Sequence, residues 1–397
     1  MSAPRILIAG GGIGGLAAAL ALTRAGFRVE VHEQAQAMRE VGAGVQLSAN
    51  ATRALAWLGV LDDLRGTAVE AQGKEIRLWS TGQTWTLFDL GAESIARYGY
   101  PYLTAYRPDL LAALERGLRA ADPHALRLGA RAEGFVQDDT GVTLYLAGGS
   151  TARGNALIGA DGIHSRIRAG LFGADRPRFT GLIAWRGVVP MARLPQPLHR
   201  MVGTNWVGPG RHVVHYPLRA GTLMNVVGIV ERGDWQVESW STQGDPQELL
   251  RDFSGWHDDV QTLMRNVEKP FKWALATREP LMTWSRGCVS LLGDACHPTL
   301  PMLAQGAAQA IEDGVVLARA LAQQADIPAG LRTYEAARVE RTARMVRGSA
   351  ENATRFHNPA LAHAEGAADY VSREWAEERI RERYEWLFTY RADEVRL

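Results

Sequence analysis

The stretch Gly10-Gly11-Gly12-Ile13-Gly14-Gly15 puts Gly10, Gly12 and Gly15 in the G-x-G-x-x-G positions of a dinucleotide-binding turn. Gly10 permits the tight turn. Gly12 lacks a Cβ, so a pyrophosphate can approach the backbone, and Gly15 lets the following helix pack close to the preceding strand. The start of that helix offers unpaired N–H groups and a partial positive charge to phosphate. Glu33, 18 residues past Gly15, is placed to accept hydrogen bonds from adenosine ribose hydroxyls and would repel a 2′-phosphate. The pattern specifies a dinucleotide without separating NAD from FAD.

Other residue groups suit chemistry. Apolar runs end in Gly159-Ala160-Asp161-Gly162 and in Gly293-Asp294. In Arg211-His212-Val213-Val214-His215-Tyr216, read as a strand, His212, Val214 and Tyr216 share one face while His215 points the other way. Histidine titrates near neutrality and suits proton removal.

Around these groups the periodicity predicts a β-strand at residues 5–9, a helix at 16–22 ended by Gly26, and a second strand at 27–32, together a βαβ unit. Further helices are expected at 49–58, at 110–120 (opened by Pro108 and Asp109) and after Ser165 through Leu171. Residues 74–90 alternate as hairpin strands, 126–146 read as short strands, and 179–230 are β-rich. Trp235, Trp240 and Trp256 are scattered through a mixed region up to about residue 271. A buried strand at 289–292 precedes a long helix at 305–323, with helices continuing over 333–349 and 370–387. Nucleotide-domain strands at both ends of a β-rich block imply an α/β chain: a discontinuous Rossmann-like domain (1–72, 100–176, 272–350), an inserted β-rich substrate domain (73–99, 177–271) and a C-terminal helical segment (351–397).

At 397 residues, 46% hydrophobic and 22% charged, the chain supports a sizeable core; its net charge of +1 argues against nucleic acid or an anionic membrane as partner. Cys288 and Cys296 form neither a disulfide framework nor a C-x-x-C metal pattern, so no metal is expected. No apolar stretch approaches a membrane span and no cleavable signal is visible, so a cytoplasmic enzyme is the expectation.

Three motifs occur in order: the glycine unit, Gly159-Ala160-Asp161-Gly162-Ile163-His164-Ser165-Arg166, and Leu291-Leu292-Gly293-Asp294-Ala295-Cys296-His297-Pro298. Together they resemble the signature of single-component, FAD-dependent aromatic hydroxylases, the p-hydroxybenzoate hydroxylase-like family. The resemblance runs over essentially the whole chain. Gly42-Ala43-Gly44-Val45-Gln46, Pro301-Met302-Leu303-Ala304-Gln305-Gly306-Ala307 and the tail Arg383-Tyr384-Glu385-Trp386 are most similar to the salicylate 1-hydroxylase and 3-hydroxybenzoate 6-hydroxylase branch.

The resemblance implies a tightly bound FAD, NADH or NADPH as a transient cosubstrate, and O2 activated as a C4a-hydroperoxyflavin to hydroxylate a small aromatic acid. No second G-x-G-x-x-G is present for the nicotinamide. Asp294 is then expected on a ribityl hydroxyl and Arg107 on FAD, with Asp161 and Gly162 serving FAD and the passing nicotinamide or merely shaping a turn. The helix start at Gly306 and Ala307 would face the flavin pyrimidine edge, where its dipole favours reduced flavin. His212 would be the base that deprotonates the substrate and Tyr216 its hydrogen-bond partner, with Gln46, Trp185, Arg186 and Met302 lining the slot. Gln46 and Met302 stand where related hydroxypyridine hydroxylases carry histidines, which disfavours a pyridine substrate. His297 and Cys296 are expected to be structural. The tail from Tyr370 suits either a homodimer interface or closure of the core.

Two rivals remain. Trp185-Arg186-Gly187-Val188-Val189-Pro190 lacks the second tryptophan of the flavin halogenases' W-x-W-x-I-P. Hydroxylation of a polyketide or quinone precursor, and a non-catalytic flavin-binding protein, are the alternatives to an aromatic acid hydroxylase.

Overall fold

The computed structural model describes residues 3–38, 43–234 and 242–397; Val41, Gly42, Trp235 and Trp240 lie outside them. The strand Arg5–Ala9 is buried over its last four residues and sits at the centre of a five-stranded parallel sheet. Its neighbours are Arg28–His32, followed by Leu126–Arg127 at one edge, and Ala156–Gly159, followed by Val289–Leu291 at the other. Parallel strands need crossovers and are covered on both faces, which is why these runs are short and almost wholly apolar. Helices Ile13–Arg24 and Arg107–Ala121 supply part of the cover, and Gly306–Gln323 packs against the first of them. At that contact a Cβ on Gly314 would lie 2.7 Å from the backbone nitrogen of Ala18.

The second sheet has seven strands, in the order Phe271–Thr277, Arg178–Pro190, Leu223–Glu231, Arg211–Leu218, Val202–Gly208, Gly73–Leu78, Thr84–Asp89. All neighbours are antiparallel except Val202–Gly208 with Gly73–Leu78. It takes its last strand from beyond the expected boundary at residue 271, because Phe271–Thr277 finds its hydrogen-bond partners on Arg178–Arg186 and not in the nucleotide sheet. A small sheet of Gly44–Leu47, Leu103–Tyr106 and Val69–Glu70 stands beside the cleft.

Ser165 caps the helix Arg166–Phe172 by accepting from the Arg168 amide at 2.9 Å. The helix expected over 333–349 is longer, Ile327–Phe356, and the one expected over 370–387 is two, Ala364–Glu374 and Glu377–Phe388. The chain turns extended at Ala376, and Trp375 drops into the core, its ring stacked 6.0 Å from Phe356. Arg355 and Arg379 hold the Glu374 carboxylate at the break, at 3.0 and 2.9 Å. Tyr384 and Phe388 pack on Phe88, so the tail closes the core over the second sheet. Among the described residues no helix is long and apolar enough to cross a membrane.

Candidate active site at the seam of the two sheets

A cleft runs between the sheets. Its outer part, about 660 Å³, is bordered by Gly10, Gly12, Glu33, Arg107, Asp161 and Asp294. Its inner part, about 350 Å³, shares Gly12, Arg107 and Asp294 and continues past Gly306 and Ala307 to His212 and Tyr216.

The nucleotide wall is mostly backbone. Gly10 has φ +106°, a conformation that L side chains rarely adopt, and a Cβ on Gly15 would sit 2.0 Å from the Gly10 carbonyl oxygen. A Cβ on Gly12 would meet open space, the gap a phosphate needs. The helix Ile13–Arg24 carries neither an acidic residue in its first turn nor a side-chain cap, so its first N–H groups face the cleft. Glu33 is fixed at the strand end by the amides of Gly11 (2.6 Å) and Ala35 (2.8 Å).

Asp161 turns its carboxylate back onto its own chain, accepting from the Ser165 hydroxyl and the Arg166 amide at 2.7 Å. Of the two roles open to it, the side chain thus holds a helix start, while Gly162 borders both parts of the cleft. Asp294 faces the open cleft; the protein packed around it pushes its carboxyl above the usual range, with His297 and Arg107 pulling the other way.

Behind this wall lies a buried charged network that the sequence did not reveal. Arg338 pairs with Glu312 (2.6 Å) and Asp313 (2.7 Å); Asp313 also bonds His297 (2.6 Å) and the Gly293 amide (3.1 Å). Glu312 receives Asn50 at 2.6 Å, and Asn50 and Ser48 grip Gln305 at 3.1 and 2.7 Å. One network therefore ties the Gly293-Asp294 turn to the start of the Gly306–Gln323 helix, which has no side-chain cap of its own. Helical spacing alone reads Glu312 and Asp313 as surface residues; their partners on other elements, Arg338 above all, make their burial tolerable.

The opposite wall is one face of the seven-stranded sheet. Asn205, Val214, Val227 and Arg186 pair in a row across four strands, and Val207, His212, Ile229 and Ala184 in another. Tyr216 pairs with Asn225, and Lys74 pairs with Gly203, two residues before Asn205. Lys74, Arg186, Asn205, His212, Val214 and Tyr216 all border the inner cleft.

His212 is 1% exposed, and its Nδ1 lies 2.6 Å from Nε2 of His357. Burial holds its pKa well below the ordinary histidine value, and His357 lowers it further, so the ring is a neutral base at neutral pH. Burial pushes the Tyr216 hydroxyl upward, against the pull of Arg186 and of its hydrogen bond to Gln46. Gln46 also accepts from the Tyr102 hydroxyl at 2.9 Å. Gly44 makes room for this group: a Cβ there would lie 2.5 Å from the Tyr216 ring. Met302 borders the same space.

Trp185 does not. Strand alternation turns it to the far face, where its Nε1 donates to Asp252 at 2.7 Å, and its neighbour Arg186 takes the cleft position. His215 also lies on the far face, its pKa lowered to about 3 by burial and then by Arg77 and Arg200.

Sequence reasoning missed Lys74, His357 and Phe356. Lys74 is 8% exposed, its Nζ 5.6 Å from the Tyr102 ring centroid, and burial lowers its pKa to about 8. No carboxylate pairs with it among the described residues. The available signal was its rarity, as one of three lysines, inside an alternating strand.

Residues 4–349 match the family model described as FAD binding domain. The chain is 40% identical over 358 residues to the 3-amino-4-hydroxybenzoate 2-monooxygenase PtnB3 of Streptomyces platensis, covering 90% of this chain and 89% of that one. It is 39% identical over 389 residues to a 3-hydroxybenzoate 6-hydroxylase of Polaromonas naphthalenivorans, covering 96% and 95%. Among solved structures, Klebsiella pneumoniae HpxO complexed with FAD and uric acid superimposes with a TM-score of 0.84 at 28% identity over 97% of both chains.

Proposed function

The chain belongs to the FAD-binding family of flavin-dependent aromatic monooxygenases, and we propose that its substrate is a small aromatic carboxylic acid bearing a ring hydroxyl, of the hydroxybenzoate type. One observation carries the reading. Two buried cations, Lys74 and Arg186, share a sheet face with the neutral base His212, across the cleft from the glycine cradle. An unpaired buried ammonium is costly, and a substrate carboxylate would offset that cost.

The cradle fits FAD: open space at Gly12, an uncapped helix start, Glu33 at the strand end for the ribose, Asp294 in the cleft for a ribityl hydroxyl, and the Gly306 helix start further in. Arg107 borders both parts of the cleft and is a further contact. When bound, FAD supplies the redox chemistry that joins NAD(P)H and O2 to the transfer of one oxygen atom.

The remaining steps fall to the protein's own groups. Lys74 holds the carboxylate, and Tyr216, steadied by Gln46, orients the ring. His212 takes the phenol proton, because a phenolate ring is the better nucleophile for oxygen. Met302, Val214 and Phe356 keep the slot apolar and dry.

Screening monohydroxybenzoates and their neutral phenols for NAD(P)H consumption, with product identification, tests the substrate class. The variant Lys74→Met should raise KM for the acid about 30-fold or more, since losing one partner of a buried charge pair costs roughly 2–5 kcal/mol. Lys74 is cationic below its pKa of about 8, so kcat/KM for the acid should fall as pH rises through that value, and this limb should vanish in the variant. Equal use of acids and neutral phenols, with no change in Lys74→Met, would discard the reading.

A further inference from the structure

Three side chains connect the inner cleft to the protein surface. His212 is 1% exposed and borders the cavity; His357 is 5% exposed; the Glu231 side chain is 57% exposed. His212 Nδ1 lies 2.6 Å from His357 Nε2, and His357 Nδ1 lies 2.9 Å from Glu231 Oε1. His357 ends the long helix Ile327–Phe356, and its carbonyl accepts from the Gly210 amide at 3.1 Å, which fixes it to the turn before the His212 strand. The Phe356 ring, 5.1 Å from His212, flanks the pair on the cavity side.

The tautomers follow from the carboxylate. An ionised Glu231 only accepts, so His357 Nδ1 carries the hydrogen and its Nε2 is bare. His212 Nδ1 must then donate to His357 Nε2, which leaves His212 Nε2 bare as the ring's remaining nitrogen. That is the protonation state a base toward the cavity requires.

We propose that Glu231, acting through His357, sets His212 as a base and carries the proton His212 removes out to solvent. The proposal rests on the reading of His212 as the base for a phenolic substrate. In the step, the O–H bond of the phenol breaks and an N–H bond forms at His212 Nε2. The Nδ1 proton of His212 passes to His357 Nε2, and the Nδ1 proton of His357 passes to Glu231 and on to water. The phenolate keeps the electron pair, one proton leaves the protein, and neither ring stays charged. Burial lowers the pKa of both rings, against which a lasting imidazolium would have to form. The titratable groups acting on the pair are His357 on His212 and Glu231 on His357. His357 and Glu231 are thus positioning residues, and His212 alone meets the substrate.

The FAD-loaded protein is mixed with each of a panel of monohydroxybenzoates in weakly buffered solution. Proton release is followed with an indicator dye and phenolate formation by absorbance. His357→Gln keeps an acceptor for His212 Nδ1 but cannot pass the proton on; Glu231→Gln alters an exposed side chain and keeps the fold. Both should slow proton release roughly tenfold or more while flavin content and ligand Kd stay near wild type. Proton release at the wild-type rate in either variant overturns the relay and leaves His212 as base untouched. Absence of proton release and phenolate in the wild type, or their persistence in His212→Ala, strikes the base reading itself and the relay with it.

Discussion

The two walls of the cleft are built on opposite plans. The phosphate turn of the nucleotide wall is contiguous in sequence and made of backbone: residues 10–15 form it, and Glu33 follows after one helix and one strand. The substrate wall is made of side chains from separate strands, with Lys74, Arg186, Asn205, His212 and Tyr216 brought onto one face by cross-strand register. A phosphate cradle needs N–H groups and the absence of Cβ atoms, which a short run of glycines supplies locally. An aromatic slot needs groups converging from several directions, which no local run can supply. The first plan tolerates almost no side chain; the second is all side chain.

The difference can be broken hardest at Gly15. A valine there would drive its Cβ into the Gly10 carbonyl, so Gly15→Val should purify without flavin absorbance, and a yellow protein would show that the cradle has slack. Next is His212→Ala. Flavin reduction by NAD(P)H should survive, while product formed per nicotinamide oxidised falls roughly 10²-fold; wild-type coupling would remove the base assignment and separate the walls further. The smallest effect on turnover is expected at Trp185. Trp185→Phe should leave KM unchanged, because the ring lies on the far face, and should lower stability by about 1.5–3 kcal/mol through the lost bond to Asp252, read from a denaturant midpoint. A raised KM in that variant would mean that the far face communicates with the slot.

Much of the architecture was legible. The βαβ unit, the buried strands at 156–159 and 289–291, the β-rich insertion and the Gly306 helix all follow from local apolar periodicity and glycine placement. Strand alternation correctly separated His212 and Tyr216 from His215, since side chains point alternately whatever the strand pairs with. The same alternation could have rejected Trp185 in favour of Arg186, but only once it was known which face of that strand meets the cleft. The tail was read as one helix because its apolar spacing runs through Trp375; the break answers to the Phe356 ring and to Arg355 on Glu374, and neither Phe356 nor Arg355 lies inside the expected helix.

By itself the sequence determined the glycine turn proposed to cradle the dinucleotide, because that geometry depends on the absence of side chains over a few adjacent residues. Tertiary structure alone decided what faces it. Lys74 reaches the slot through a parallel pairing with a strand more than a hundred residues away, and His357 meets His212 only because the end of a thirty-residue helix returns to the second sheet. Such meetings are set by register and packing between distant segments, and local composition carries no record of them.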